Sequence, residues 1–395
     1  MIAELVAPAK VVSRAKRLIH VLTLTPFFPS ADDDASGCFV SEPLPWLERL
    51  GIANTVIAAQ PFYRRSRVNS PSVCAEWANF FSIPCNAGLP SAGRFLHASI
   101  LRRVQEIHRS DPVDLIHAHS ALPCGHAAGL IKRELGIPFV VGVHGLDAFS
   151  AHQAGRLVGS QCARISRWVY RAAERVICVS KKVEEKVLQG TACQARTEVV
   201  YNGVDPELFS PADESAGTLL SVGNLIPIKN HELLLRAFAA IAPNFPNLRW
   251  DIIGDGPERG RLYALVNKLS LKGRACFLGQ QSRVEVARAM QRCAVFALPS
   301  RYEALGCVYL EAMAGGRPVI ACRGQGIDEV IEHGNNGWLV DGDSVEELVS
   351  ALNLLLANSR LRERLGQAAR TTILNGFTLQ HQARRLVDIY GKCIA

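Results

Sequence analysis

Residues 298–326, LPSRYEALGCVYLEAMAGGRPVIACRGQG, decide how the chain is read. Pro299 and Ser300 open a loop that carries Glu303, and at Gly306 an apolar pattern at helical spacing begins with Val308, Leu310 and Met313. Gly315 and Gly316 end that helix, and Pro318, Val319 and Ile320 start a strand. A helix start leaves unpaired backbone N–H groups and the positive end of a dipole. Residues 304–308, with Leu305, Gly306, Cys307 and Val308 in the turn, are therefore a seat for phosphate oxygens. Glu311 follows about a turn and a half later. A carboxylate just beyond an anion cradle can accept two hydroxyls of a ribose whose phosphates lie at the helix start.

Glu303 and Glu311, eight residues apart, resemble the signature of the retaining GT-B glycosyltransferases of family four. An isolated pair at that spacing is ordinary, a loop and helix whose carboxylates face water. Here the flanking residues decide. The proline and serine before it, the EAMA helix, the double glycine, the proline-led strand and GIDEVI at 326–331 match the family in order. The resemblance implies that Glu311 binds the ribose of a nucleotide sugar and that Glu303 contacts the donor sugar. It also implies an α/β GT-B fold, two doubly wound Rossmann-like domains facing a cleft.

The 395 residues exceed the size at which one core keeps growing, so two domains are expected. We place the first at residues 1–204, a hinge at 205–217 and the nucleotide-sugar domain at 218–376. A terminal helix at 377–395 returns to the first domain, as the GT-B resemblance implies. With 48% apolar and 20% charged residues the composition is globular. No apolar run is long enough to span a bilayer and no signal-peptide order opens the chain, so a cytoplasmic location is expected. The 12 cysteines show no C-x-x-C and no zinc spacing, and read as buried free thiols. Residues 1–205 hold 23 Lys and Arg against 17 Asp and Glu, and the remainder 21 against 19, so the net charge of +8 sits mainly in the first half. Such a surface can meet the inner membrane face or an acidic acceptor, and can equally be plain solvated surface. No nucleic-acid partner is expected.

In the first half, residues 18–25 read as a buried strand feeding the loop PFFPSADDDASGCF, in which Gly37 stands where open α/β sheets bring backbone close to ligand. Gly37 resembles the family's flexible glycine beside the donor phosphates, or is a plain turn glycine. Residues 91–109 form a helix with Phe95, Leu96, Ile100, Val104 and Ile107 on one face and arginines around it, suited to a sheet or to a membrane surface. His119 and His126 lack a third ligand at regular spacing and read as structural. Residues 139–143 are a strand, and His144 caps its carboxyl end. The resemblance implies that His144 contacts the donor sugar, with Asp147 beside it as a weaker candidate for holding a hydroxyl. Residues 176–179 read as the last strand of this half, with Ser180 capping the next helix.

In the second half, residues 218–222 form a strand, and a loop leads from Gly223 and Asn224 to Lys229. The family writes Gly-Arg, a gap, then Lys-Gly, with both cations on the donor diphosphate. Lys229 matches, whereas Asn224 stands in the usual Arg place and Asn230 in the usual Gly place. Gly254, after a strand at 249–253, is similar to the family's second glycine turn. The whole implies retaining, metal-independent transfer of a sugar from a nucleotide diphosphate, a UDP-sugar foremost. The acceptor would be a carbohydrate or a lipid-linked molecule in polysaccharide or glycolipid synthesis. Lys229 and the helix start near Gly306 take the diphosphate in place of a D-x-D metal site, and no cofactor is expected. Two other classes stay open, a UDP-sugar epimerase of GT-B shape and a catalytically silent nucleotide-sugar-binding subunit.

Overall fold

The structure is a computed structural model, and it describes residues 18–64, 69, 74–84, 87–145, 156–191, 195–212 and 217–394. Seven parallel strands make the first sheet: β1 (Ile19–Thr25), β2 (Ile52–Pro61), β3 (Glu76–Phe80), β4 (Leu115–His119), β5 (Phe139–Val143), β6 (Arg175–Cys178) and β7 (Thr197–Val199). Their spatial order is β3-β2-β1-β4-β5-β6-β7. The helices between them are α1 (Cys38–Ser41), α2 (Leu44–Arg49), α3 (Leu89–Ser110), α4 (His126–Leu135), α5 (Arg156–Ala172) and α6 (Lys181–Thr191). Alternation along β1 explains why both faces are covered. Leu22 and Leu24 join Leu96, Ile100 and Val104 of α3, while Val21 points the other way, toward Leu44 and Leu47 of α2.

The second sheet has six parallel strands: β8 (Thr218–Val222), β9 (Arg249–Ile253), β10 (Ala275–Gly279), β11 (Val295–Ala297), β12 (Val319–Cys322) and β13 (Trp338–Val340). Its order is β10-β9-β8-β11-β12-β13. Helices α7 (His231–Ile241), α8 (Arg259–Lys268), α9 (Arg283–Arg292), α10 (Cys307–Ala314), α11 (Val345–Ala357) and α12 (Ser359–Gly376) clothe it. Ser282 and Glu285 form a capping box that starts α9, and Ser344 caps α11 through the Glu347 N–H. The last helix, α13 (Leu379–Ile394), leaves this domain and sets Ala383, Leu386, Ile389 and Tyr390 into the core on the α2 side of the first sheet.

Two readings of the sequence are corrected, and one further strand stands where none was read. Residues 176–179 are not the last strand of the first half, because Thr197–Val199 pairs with β6 as an edge strand too short to announce itself. Glu76–Phe80 is likewise an edge strand, half exposed and without the alternation or apolar run that would mark it. On α3, Leu96, Ile100, Val104 and Ile107 are buried against the sheet, but Phe95 is 42% exposed and lies edge-on to the ring of Phe81. The ten cysteines of the described residues are free thiols, and five of them are buried, among them Cys178. Ser180 does cap α6, accepting from the Val183 N–H at 3.2 Å. Among the described residues no helix is long and apolar enough to cross a membrane.

Candidate active site

In both sheets the strand order reverses once, between β1 and β4 and between β8 and β11, and ligands of such sheets sit at the carboxyl ends beside that reversal. In the second sheet the loop after β8 carries Lys229 and the loop after β11 carries Glu303. The two side chains meet, Lys229 Nζ donating to Glu303 Oε1 at 2.5 Å, while Ser300 Oγ donates to the same oxygen at 3.0 Å. Gln325 Oε1 accepts from the Glu303 N–H, and the Gly326 N–H bonds the Glu303 carbonyl, so the GIDEVI segment holds this loop from below. Glu303 is buried, and a buried carboxylate needs such partners.

The loop of Lys229 is itself fixed by close backbone approach. A Cβ on Gly254, whose φ is +130°, would lie 2.1 Å from the Gly223 carbonyl oxygen, so the two glycine turns interlock without room for a side chain. Asn230 has φ +57° and its amide donates to the Gly342 carbonyl. The departure from the family's glycine is thereby explained, since Asn is among the few residues that adopt this left-handed conformation readily. Asn224 is exposed on the same loop.

Gly306 caps α10 in the left-handed region with φ +87°. Leu305 beside it is buried, Val308 is half-buried, and Cys307 Sγ accepts from Asn202 Nδ2 at 3.3 Å. Burial first, then the Glu311 charge, pushes the Cys307 thiol up to about 12, so it stays protonated. Glu311 is 3% exposed. Its Oε1 accepts from Arg283 Nη1 at 2.6 Å, and its buried Oε2 has no hydrogen-bond partner among the described residues. Arg283 also donates through Nε and Nη2 to Glu42 Oε1, at 2.9 and 2.7 Å, and through its backbone N–H to Asp34. Burial raises the Glu42 pKa, the Arg283 charge opposing it. Arg283 thus ties the first domain to the second at the residue expected to hold the ribose. Sequence reasoning marked Glu311 and missed Arg283 and Glu42, which lie 28 and 241 residues from their partners in this group.

On the opposite wall, His144 follows β5. Its Nε2 lies 2.8 Å from His119 Nδ1, and the ring of His119 stacks on that of His117, whose Nδ1 meets Tyr390 Oη of α13 at 2.8 Å. Burial brings His144 down to about 4 and His117 to about 3, and it lowers His119 well below its usual value. The row is therefore neutral near pH 7, and His119, read from sequence as structural, orients the candidate sugar contact. Phe39 lies against His144 with ring centroids 4.6 Å apart. Gly37, which starts α1 with φ +75°, crosses so close to Phe27 that a Cβ would sit 2.4 Å from its carbonyl carbon. The glycine is needed for that crossing whether or not phosphates lie beside it. Asp147 lies outside the described residues.

The two walls touch. A Cβ on Gly145, next to His144, would lie 2.6 Å from the Ala304 methyl, and the Glu329 carboxylate of GIDEVI caps α6 of the other domain through the Lys181 and Lys182 N–H groups at 2.9 and 2.8 Å. Literal D-x-D runs do occur, at Asp32–Asp34 and Asp341–Asp343, against the expectation from sequence. Four of their five carboxylates have partners within the protein: Asp34 takes the Arg283 N–H, Asp33 the Ser36 N–H, Asp341 the Asp343 N–H, and Asp343 pairs with Arg301.

Two doubly wound domains, with cation, carboxylates and helix start gathered at the carboxyl ends of their strands, define a glycosyltransferase of the GT-B type. The chain belongs to family four of these enzymes: the family model "Glycosyl transferases group 1" matches residues 209–372, and "Glycosyltransferase Family 4" matches residues 44–208. It is 33% identical over 269 residues to an uncharacterized glycosyltransferase of Methanocaldococcus jannaschii, covering 67% of this chain and 71% of that one. It is 28% identical over 308 residues to the N-acetyl-alpha-D-glucosaminyl L-malate synthase of Bacillus anthracis, covering 74% and 78%. Among solved structures, sucrose-phosphate synthase of Thermosynechococcus elongatus is similar with a TM-score of 0.76 at 21% identity, over 94% of this chain and 98% of that one. Anabaena HepE in complex with UDP-glucose is similar at 0.74 and 20%, over 95% and 100%. At these identities the structural likeness speaks for the fold.

Proposed function

We propose that the protein transfers a sugar from a UDP-sugar to a carbohydrate or lipid-linked acceptor, with retention at the anomeric carbon and without a metal ion. The observation that carries this reading is the meeting of Lys229 and Glu303 at the strand-order reversal, with the start of α10 and the unpaired Glu311 Oε2 alongside. The UDP and UDP-glucose complexes of HepE support the choice of nucleotide. Polysaccharide or glycolipid synthesis is the setting we favour, at the cytoplasmic side of a membrane.

Such a reaction builds positive charge on the anomeric carbon and negative charge on the departing diphosphate, so fixed donors must face the second. Lys229 Nζ and the backbone N–H groups at the start of α10 would supply them. Glu303 would hold hydroxyls of the sugar, His144 would reach it from the opposite wall, and Glu311 would hold the ribose. The acceptor oxygen forms its bond to the anomeric carbon as the bond to the diphosphate breaks, and a diphosphate oxygen takes the acceptor's proton.

The test has two parts. A panel of nucleotide sugars is screened by thermal shift, where a ligand at a hundred times its Kd adds roughly 2.7 kcal/mol, and the stabilising donor is then assayed for transfer in excess EDTA. Turnover abolished by EDTA and restored by magnesium or manganese would contradict the metal-free mechanism. Conversion of a UDP-sugar with no acceptor present would move the protein to the epimerases.

A further inference from the structure

Away from the cleft, α3, α4 and α5 enclose a pocket of about 490 Å³ on the outer face of the first domain. Each helix contributes an arginine, Arg94, Arg133 and Arg164, and no carboxylate lines it. Among the described residues none of the three is ion-paired, and Glu134 lies with Oε1 3.1 Å from His97 Nε2. Arg133 lies over the indole of Trp168 at 5.0 Å. His126, at the start of α4, packs edge-on against the same indole, is 6% exposed, and has no hydrogen-bond partner at Nδ1 among the described residues. Gln161 completes the polar lining.

The three guanidinium groups line one cavity from three helices, so a single anion there can be shared among them. Planar guanidinium edges match phosphate oxygens in pairs, and the indole offers a flat apolar seat beside them. Burial, then Arg94, His97 and Arg133, bring the His126 pKa down to about 4, so its ring is neutral and one nitrogen carries a proton that can be donated. Pro90 and Ser91 open α3 and His126 opens α4, so the pocket begins at the carboxyl-end edge of the first sheet, the edge that carries His144. We propose that this pocket is a second anion site, separate from the donor cleft, that takes a phosphate monoester. Two sources carry that chemistry, a membrane-lipid head group and a soluble phosphate ester. The exposed rings of Phe95 and Phe81 on the adjoining side of α3 favour the lipid.

The intact chain is titrated by calorimetry with dihexanoyl phosphatidic acid and with glycerol 3-phosphate. Arg94→Ala and Arg133→Ala should each weaken the phosphate probe about tenfold, the scale of one hydrogen bond to a charged group. Arg102→Ala, on the same helix but outside the pocket, controls for general surface charge, and UDP affinity in every variant controls for folding. Both should stay unchanged. Tighter binding of phosphatidic acid assigns the site to a lipid head group, and equal binding of the two probes assigns it to a soluble ester. Binding of neither probe at millimolar concentration, or an equal loss in Arg102→Ala, overturns the proposal.

Discussion

Lys229 and Glu303 come from loops 74 residues apart in sequence and meet at 2.5 Å inside the second domain, both largely buried. The pair binds the two sides of the strand-order reversal to each other, so it has a structural as well as a chemical consequence. Lys229→Ala leaves a buried carboxylate without its cation, which costs about 3 to 5 kcal/mol. Loss of one fixed donor to the leaving diphosphate costs roughly a hundred- to thousand-fold in kcat. The double variant Lys229→Met with Glu303→Gln removes both charges and should regain much of the stability in urea unfolding while staying inactive. Near-full turnover in Lys229→Ala would show that other groups hold the diphosphate.

Glu311 offers a buried, unpaired Oε2 beside the oxygen held by Arg283. Glu311→Ala should weaken UDP binding by roughly 1.5 to 3 kcal/mol, as for hydrogen bonds to a charged group. Calorimetric titration of folded mutant with UDP decides it. An unchanged Kd removes Glu311 from the nucleotide site.

Asn224 is exposed, and its amide is neutral. Asn224→Ala should therefore cost on the order of 1 kcal/mol in transition-state binding, well below Lys229→Ala. Comparing kcat/KM of the two variants with the same donor tests the order. A more damaged Asn224 variant would mean that this loop has been placed wrongly.

The buried histidine row sets a pH dependence of stability. His117 and His144 are held by burial at about 3 and about 4, below the unfolded value near 6.5. The unfolded chain therefore binds protons that the folded chain refuses. Stability is full above pH 6.5 and falls as the pH drops toward 4, by about 1.4 kcal/mol per pH unit for each such histidine. Urea unfolding at pH 7 and pH 5 should show the loss, and His144→Gln should reduce it. Equal stability at the two pH values would mean that the row is not buried and neutral.

Sequence alone determined the α/β class and the positions of most strands, because a strand covered on both faces must be a short apolar run bounded by Gly or Pro, as 218–222 and 319–322 are. The family resemblance carried by residues 298–331 and by the loop after 218–222 also pointed to Lys229, Glu303 and Glu311. The edge strands Glu76–Phe80 and Thr197–Val199 escaped because half-exposed residues carry no such pattern. Only the tertiary structure decided that Arg283 would stand between Glu42 and Glu311, that His119 would seat His144, and that Tyr390 of the last helix would reach His117. The partners in each case lie 25 to 273 residues apart in sequence. Contacts of that separation depend on which strands lie side by side, and nothing in the local sequence of either partner records it.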